Sequence, residues 1–350
     1  MTGPVPLRLF RPTPEQHALV AGARPVFAAA AGDPAPGRAA RRGAPGWQAL
    51  AGSGFLGALV PEERGGLGLG ASDLVLLTEE AGALLVPGPL VETAWMVAPA
   101  LAALGEPGAG PLAGVLAGEL LASAVDGELR GPDLTEAALL LVPAPDGDRL
   151  VEAADAGPVE PVPTADRLER SGHAPALAGA PGRRVPAVGA GALAQGRLGG
   201  AAHLLGITRE LLETTVGHVS ARTQFGVPIG SFQAVRHALA DVHVELEFAR
   251  SAAWSAACEV DDRTPSADDA VLAAAVMARR AFAAAGRTCL QAHGGVGFTE
   301  EHPLHGRLER GATFAARFGR HRELAAALGE RLLLQVAGEQ PRPVPPRPHI

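Results

Sequence analysis

Two polar, glycine-containing segments follow long helical patterns in the C-terminal half of the sequence, and both could bind a ligand. The first, RTQFGVPIGSFQAVRH, places Arg222, Gln224, Phe225 and Gln233 in a connection between two helices, where ordinary turn residues would suffice. The second, QAHGGVGF at 291–298, carries two glycines in tandem. Because glycine has no side chain, a ligand or another chain can approach the backbone there.

Each of these residues also has an ordinary structural explanation. Arg222 could end its helix, where a cation interacts favourably with the helix dipole. Phe225 could fill a gap in a helix bundle. No metal-ligand spacing surrounds His293 or His305, so packing or surface roles are expected for both and no metal site is predicted.

The composition excludes several classes of function. With 350 residues the chain is long enough for about two or three domains, and its formal net charge is −7. That balance provides no basic field that would hold nucleic acid non-specifically. The two cysteines, Cys258 and Cys289, cannot form a disulfide framework and are expected as buried thiols within helices.

Neither a leader peptide nor a membrane span is expected. The N-terminus lacks a charged start followed by a continuous apolar core. The longest apolar runs fall short of the ~18 residues that cross a bilayer, and prolines interrupt them. The sequence therefore predicts a cytoplasmic protein.

Helices predominate in the N-terminal third. Thr13, three residues before Gln16, predicts a capped helix that runs to about Ala31. A second helical segment includes GWQALAG, Ser72 can cap a third, and residues 93–105 predict one more.

The region that follows is different. Residues 119–190 contain short runs such as ELLASAV and RLVEA, split by Gly, Pro and Asp, and these predict a small, irregular β region.

The run GLGLGA at 66–71 loosely matches a dinucleotide fingerprint, but no strand and no later acidic residue complete a βαβ unit. A Rossmann site is therefore not expected.

Two apolar stripes predict long helices packed as an antiparallel bundle. The first stripe repeats every seven residues and consists of Leu198, Leu205, Leu212 and Val219. The second has a 4-3-4-3-4 spacing and consists of Val235, Leu239, Val242, Leu246, Ala249 and Ala253. Ser266 with Asp269 resembles a capping pair for a third helix to about Leu290. A last helix is expected from about His321 to Ala337, followed by a disordered proline-rich tail.

Three segments, in the same order as in the acyl-CoA dehydrogenase family, make the sequence resemble that family over most of its length. They are GFLGALVPEERGGLGLGASDLVLLTEEAGALL, RTQFGVPIGSFQAVRHALADV and QAHGGVGFTEEHPLHGRLER. The resemblance implies a mainly α fold with an N-terminal helical domain, a small reduced middle β domain and a C-terminal four-helix bundle. We assign these to 1–115, 116–190 and 191–338, with a disordered tail at 339–350.

The resemblance further implies a dimer of dimers with FAD at the dimer interface. In such enzymes the arginine of the helix junction reaches the pyrophosphate of the FAD held by the neighbouring chain, which assigns that role to Arg222. A guanidinium suits it because its planar fork binds phosphate oxygens in pairs. Phe225 would pack against the cofactor, and Phe232 would lie near its adenine end. The remaining expected cofactor-binding residues are Thr223, Gln224, Gln233, Gln291, Ala292, His293, Gly294 and Gly295.

The same resemblance identifies no residue of this chain as the catalytic base. The family's reaction removes the α-proton of an acyl thioester with a glutamate, while the β-hydrogen leaves as hydride to the flavin. Ungapped counting from the two motifs brings the glutamate positions used in the family onto Phe318 and Gly196. Neither residue can accept a proton.

The middle region departs from the family as well. A Thr-Glu-Pro-x-x-Gly-Ser-Asp loop and a Trp-Ile-Thr strand normally hold the flavin ring, and ELLASAVDGELRGPDLTEAALLLV contains neither. Some actinobacterial relatives divide the work between two different chains in a heterotetramer. This sequence is similar to the subunit that completes its partner's FAD site.

Three functions remain open on this basis. The chain could be the subunit of a heteromeric dehydrogenase acting on an acyl-CoA, with electron-transfer flavoprotein as the acceptor that the resemblance implies. It could be a self-sufficient homotetramer whose base is Glu210, Glu213 or Glu301. It could also be a non-catalytic scaffold or acyl-CoA binder.

Overall fold

The computed structural model describes residues 11–32, 44–144, 147–186 and 191–337. The expected tail at 339–350 therefore lies outside the described residues. Within the described part, the N-terminal region contains the helices α1 (Pro14–Ala31), α2 (Pro45–Gly52), α3 (Ala71–Ala83), α4 (Ala98–Ala103) and α5 (Glu106–Leu116). A π-helical turn, Glu92–Val97, leads directly into α4, so the helix predicted at 93–105 is composite.

Of the two helix caps predicted in the N-terminal region, at Thr13 and Ser72, one is present. The Thr13 hydroxyl accepts from the Gln16 backbone N–H at 3.2 Å, and the Gln16 side chain returns a bond at 3.0 Å, which confirms the capping box. The cap predicted at Ser72 is wrong, because α3 already begins at Ala71. The carboxylate of Asp261 instead accepts from the N–H groups of Ala71 and Ser72 at 2.7 and 3.0 Å. A long-range partner thus replaces a local cap.

The middle of the chain forms two small sheets. Its strands are β1 (Ala122–Ala124), β2 (Arg130–Pro132), β3 (Leu139–Val142), β4 (Arg149–Glu152), β5 (Glu160–Val162), β6 (Ser171–His173) and β7 (Arg183–Arg184). The first sheet has the order β1-β3-β4-β7 and the second β2-β6-β5. Leu140, Val151 and Leu177 belong to a small core of their own beneath them. The predicted β region is confirmed.

Long helices make up the rest: α6 (Gly191–Ala221), α7 (Gln233–Asp261), α8 (Ala267–His293), α9 (Pro303–Ala316) and α10 (His321–Ala337). A short hairpin of β8 (Thr223–Gln224) and β9 (Val227–Pro228) connects α6 to α7. The four residues of the first stripe, which repeat every seven positions, are all buried. In the second stripe every residue is buried except Val235, which is partly buried. The predicted mainly α fold is confirmed.

Helices α3 and α6 approach each other so closely that only glycine fits at two positions. A Cβ on Gly206 would lie 1.8 Å from the Glu79 carbonyl oxygen. A Cβ on Gly82 would lie 2.1 Å from the His203 carbonyl oxygen. This contact locks the N-terminal region to the C-terminal helices.

The start of α8 differs from the prediction. The Ser266 side chain makes no capping bond, so the predicted capping pair is wrong. Asp269 binds Arg331 and Gln335 of α10 instead. The helix ends at His293, three residues beyond the predicted Leu290, and the second glycine segment follows at once.

Candidate functional site

The hairpin between α6 and α7 presents aromatic side chains to solvent. Phe225 and Gly226 form its tip with φ of 53° and 82°, a left-handed conformation that is uncommon for a bulky residue. The Phe225 side chain is 91% exposed, and Phe232 is 38% exposed. Their ring centroids lie 6.2 Å apart in an edge-to-face arrangement. Because Phe225 packs on no core, the ordinary explanation of a buried plug does not apply to it.

Arg222 stands immediately after α6 and is exposed. Its backbone N–H continues the helix by donating to His218 at 2.9 Å, and its carbonyl accepts from Ile229. Among the described residues no carboxylate lies within ion-pair distance of its guanidinium. Gln224 and Gln233 are exposed as well. The segment therefore offers a cation, two amides and two aromatic rings to a partner molecule.

The second glycine segment lies beside the first. Gly294 has φ 62°, and a Cβ on either Gly294 or Gly295 would meet nothing within 4 Å. His293 is buried and stacks on His218 of α6 with centroids 4.2 Å apart. Since His218 precedes Arg222 by one helical turn, the two predicted segments are brought together. Gln291 is exposed and Ala292 is partly buried.

The two positions expected for a catalytic glutamate face each other. A Cβ built on Gly196 would lie 3.0 Å from Cε1 of Phe318 and 2.7 Å from the Met96 sulfur. A Cβ on Gly200, one turn further, would lie 3.1 Å from the same ring. Phe318 is 2% exposed and adopts φ 60°. An aromatic ring therefore fills the space between α9 and α6.

A cavity of about 420 Å³ opens beside Phe318, and we call it the Phe318 cavity. The carboxylates that line it are Asp126, Glu128, Glu169 and Glu323, and the lining arginines are Arg130, Arg197, Arg317 and Arg320. Arg130 pairs with Glu128 at 2.9 Å. The Arg197 Nε donates to the Phe318 carbonyl at 3.1 Å, and burial lowers the pKa of Arg197 to about 10.

Asp126 also lines this cavity, and among the described residues no basic side chain lies within ion-pair distance of its carboxylate. It accepts from the backbone N–H groups of Glu128 and Arg130 at 2.8 and 3.0 Å. Burial raises its pKa although those bonds oppose the change. Asp126 is not among the site residues predicted from the sequence. Its one signal is its place in the run ELLASAVDGELRG, where the resemblance leads one to expect a flavin-binding loop.

None of the three glutamates proposed from the sequence as a substitute base lines the Phe318 cavity. Glu210 pairs with Arg307 at 3.5 Å. Glu213 is exposed and lies 3.8 Å from Arg209, one turn away on the same helix. Glu301 is exposed in the loop before α9.

Two buried arginines of the α9 region join three parts of the chain. Arg310 binds Asp166 at 2.8 Å and the Val86 carbonyl at 2.7 Å. Arg317 binds Glu169 and lies 3.2 Å from Glu92. Burial raises the pKa of Glu92, although Arg317 opposes the change. These pairs fix α9, and with it Phe318, against the sheets and the N-terminal helices.

The described residues contain no group of three or more His, Cys, Asp or Glu side chains that could hold a metal ion. Over the same residues, no helix has the length and hydropathy needed to cross a bilayer.

Two models of known protein families match this chain. The family model for the acyl-CoA dehydrogenase C-terminal domain matches residues 187–319, and the model for the N-terminal domain matches residues 13–108. The Mycobacterium tuberculosis acyl-CoA dehydrogenase FadE34 is 34% identical over 75% of this chain, which spans only 38% of that relative's length. IpdE2 of the same organism, also an acyl-CoA dehydrogenase, is 32% identical over 71% of this chain and 73% of its own.

Solved structures show the same fold. A variant of the Tcur3481–Tcur3483 steroid ACAD superposes with a TM-score of 0.82 at 29% identity, covering 92% of this chain and 99% of that one. The ChsE4–ChsE5 complex from Mycobacterium tuberculosis gives a TM-score of 0.78 at 24% identity, covering 93% and 99%. The helical regions and the small sheets between them are thus arranged as in those proteins.

Proposed function

Because this chain belongs to the acyl-CoA dehydrogenase family, whose members are oxidoreductases acting on CH–CH bonds, we propose that it is the subunit of a heteromeric dehydrogenase that completes a partner's FAD site. It supplies no catalytic base of its own. Its substrate is an acyl-CoA bound mainly by the partner, and a steroid-derived acyl group is the first class to test because the similar Tcur3481–Tcur3483 protein is a steroid ACAD.

The observation that carries this proposal is the contact of Phe318 with Gly196 and Gly200. Proton abstraction requires a carboxylate beside the substrate α-carbon. Both positions that the family uses for it hold non-ionisable residues here, and the Phe318 ring occupies the space between them. A Cβ at position 196 would lie 2.7 Å from the Met96 sulfur and 3.0 Å from that ring, so a glutamate there would require both side chains to move.

The surface that faces outward supports the other half of the proposal. Arg222 is exposed with no carboxylate partner among the described residues, and Phe225 is almost fully exposed. Gly294 and Gly295 leave open space above their backbone. These features fit the ADP half of a dinucleotide held by a neighbouring chain, with Arg222 on its pyrophosphate. FAD, when bound, accepts the hydride that leaves the substrate β-carbon.

In that role the chain binds and orients the dinucleotide held by its partner. Arg222 holds the diphosphate through charge-assisted hydrogen bonds. Phe225 and Phe232 cover the dinucleotide and exclude water from it, and Gln233 reaches its adenine end. The segment from Gln291 to Gly295 lies along the ADP portion.

A self-sufficient homotetramer is the second candidate, and the partly buried Asp126 favours it. Its carboxyl group lines the Phe318 cavity with a raised pKa, as a general base would require. Its two bonds to backbone N–H groups of its own turn give it a structural role as well. An Asp126→Asn variant would keep those bonds and abolish proton abstraction.

Absorption spectra of the purified chain, alone and co-expressed with a second dehydrogenase-like chain of the same genome, test the proposal. We expect a colourless lone chain and a yellow stable complex that bleaches on addition of acyl-CoA. A lone chain with near-stoichiometric flavin that bleaches by itself would contradict the proposal, and loss of that bleaching in Asp126→Asn would establish the second candidate. No flavin in either preparation would indicate the non-catalytic scaffold.

A further inference from the structure

Three histidine side chains meet at the place where the two cofactor segments adjoin. The rings of His218 and His293 are stacked with centroids 4.2 Å apart. His302, just before α9, lies edge-on to both, at 4.7 Å from His293 and 6.5 Å from His218. We call these residues the histidine cluster. They come from α6, the end of α8 and the start of α9, so only the tertiary fold assembles them.

The hydrogen bonds of the cluster leave nitrogen atoms without partners. His293 Nδ1 donates to the Cys289 carbonyl at 2.8 Å. His302 Nδ1 accepts from the Leu304 N–H at 3.2 Å and caps α9. Among the described residues, the buried Nε2 atoms of His218 and His293 have no hydrogen-bond partner. Because His293 is 3% exposed, an unpaired polar atom there is costly unless a hydrogen-bonding partner engages it.

The charges around the cluster are positive. Arg222 acts on His218 from α6, and Arg307 acts on His302 from α9. The nearby carboxylates pair elsewhere: Glu210 with Arg307 at 3.5 Å and Glu300 with Arg167 at 2.7 Å. From α8 the backbone carbonyl of Cys289 accepts from His293, and burial raises the pKa of the Cys289 thiol. No described carboxylate pairs with any of the three imidazoles.

The protonation of His218 and His302 is therefore sensitive to an anion placed near Arg222. Burial lowers the pKa of His218, and His293, Arg222 and His302 lower it further. Burial lowers the pKa of His302 as well, together with His293 and Arg307. An anion placed against Arg222 would offset this repulsion, since an opposite charge favours the charged form of a histidine.

We propose that the histidine cluster is a proton-coupled extension of the Arg222 diphosphate site, so that binding of a dinucleotide's diphosphate draws protons onto His218 and His302. This inference rests on the proposed function and adds two titratable side chains, His218 and His302, beside that site. The diphosphate then meets Arg222 together with a cluster whose positive charge increases on binding. Affinity for the diphosphate rises as pH falls through the near-neutral range, because the bound state holds more protons than the free state.

Calorimetric titration of the isolated chain with ADP tests the inference without catalytic turnover. Titrations in two buffers of different ionisation enthalpy measure the protons taken up on binding. We expect uptake at pH 7, and an affinity that rises between pH 7.5 and 6 by up to ~10-fold per pH unit for each proton taken up. His218→Phe keeps a stacked ring without a titrating nitrogen and should reduce the uptake, as should His302→Asn, which retains a capping side chain. His173→Phe, on β6, is the matched control.

Binding without proton uptake, an unchanged uptake in both cluster variants, or no ADP binding would each overturn the inference. An unchanged affinity in Arg222→Ala would overturn the placement. Because coenzyme A also contains an ADP unit, displacement of ADP by coenzyme A but not by FAD would overturn the assignment to the flavin dinucleotide. The flavin content of the co-expressed complex is measured separately. A complex that contains flavin, combined with ADP binding without proton uptake, would contradict this inference and leave the proposed function intact.

Discussion

The ring of Phe318 lies directly against Gly196, close enough that a methyl group added to the glycine would sit 3.0 Å from the ring. These are the two positions at which relatives of this chain are expected to carry a catalytic glutamate. Their contact shows that the glycine and the phenylalanine depend on each other sterically. A larger residue at position 196 would therefore require the ring at position 318 to move.

Gly196→Ala is expected to destabilise the protein by about 1–3 kcal/mol, because the added methyl collides with Phe318 and Met96 in a packed region. Gly217→Ala is the matched control on the same helix. Nothing lies within 4 Å of its would-be Cβ, so it should stabilise by up to ~1 kcal/mol. Denaturant unfolding of both variants measures the difference. Equal effects at the two positions would argue against the Phe318–Gly196 contact.

Arg222→Ala is expected to weaken FAD binding in the assembled complex by about 2 kcal/mol, the scale of a charge-assisted hydrogen bond. Its fold should be unaffected, because the side chain is exposed and pairs with no described carboxylate. Flavin content per complex after dialysis measures the loss. Arg280→Ala, which removes a 67% exposed arginine from α8, is the control. An unchanged flavin content would exclude the role given to Arg222.

Arg317→Met is expected to cost about 3–5 kcal/mol of unfolding free energy, because it leaves Glu92 and Glu169 buried without their cation. Arg320→Met, three residues later and 61% exposed, should change stability by less than ~0.5 kcal/mol. Chemical denaturation at neutral pH compares the two. If the first variant were as stable as the second, Arg317 would not join the regions as described.

Asp133 should make stability fall with rising pH. It is fully buried, and burial raises its pKa to about 7 although Arg170, 3.1 Å away, opposes the change. Between its unfolded pKa of about 3.9 and its folded pKa the native state holds the extra proton, so stability is lost as pH rises through that window and is constant above it. We expect the wild type to lose stability relative to Asp133→Asn by on the order of 3–4 kcal/mol from pH 4 to 7.

Parallel unfolding curves for the wild type and Asp133→Asn across that pH range would contradict the raised pKa. An Asp155→Asn variant provides the control, because Asp155 lies at an exposed position in the same region of the chain. Its stability relative to the wild type should vary little over the same range.

Local patterns in the sequence were sufficient for the long elements. The seven-residue stripe from Leu198 to Val219 placed a buried face on α6, and the box of Thr13 with Gln16 marked the start of α1. Both depend on neighbours within a few turns of helix, which the sequence displays directly. Short apolar runs split by glycine and proline likewise indicated the β region.

Features that depend on distant partners were missed or assigned wrongly. The cap of α3 comes from Asp261, 190 residues after Ala71, so Ser72 was the wrong choice. Asp269 binds α10 and does not cap its own helix. The Phe318 cavity has Asp126 on its wall, while the glutamates proposed as bases lie elsewhere.

By itself, then, the sequence determined the mainly α fold, the family and the two segments expected to meet a dinucleotide, because periodicity and short motifs are properties of contiguous residues. The tertiary structure alone decided that Phe318 closes against Gly196 and that His218, His293 and His302 touch. It also decided that Arg317 binds carboxylates from two other regions. Each of these contacts joins residues far apart in the chain, and their juxtaposition follows from how closely whole helices pack, which no local pattern encodes.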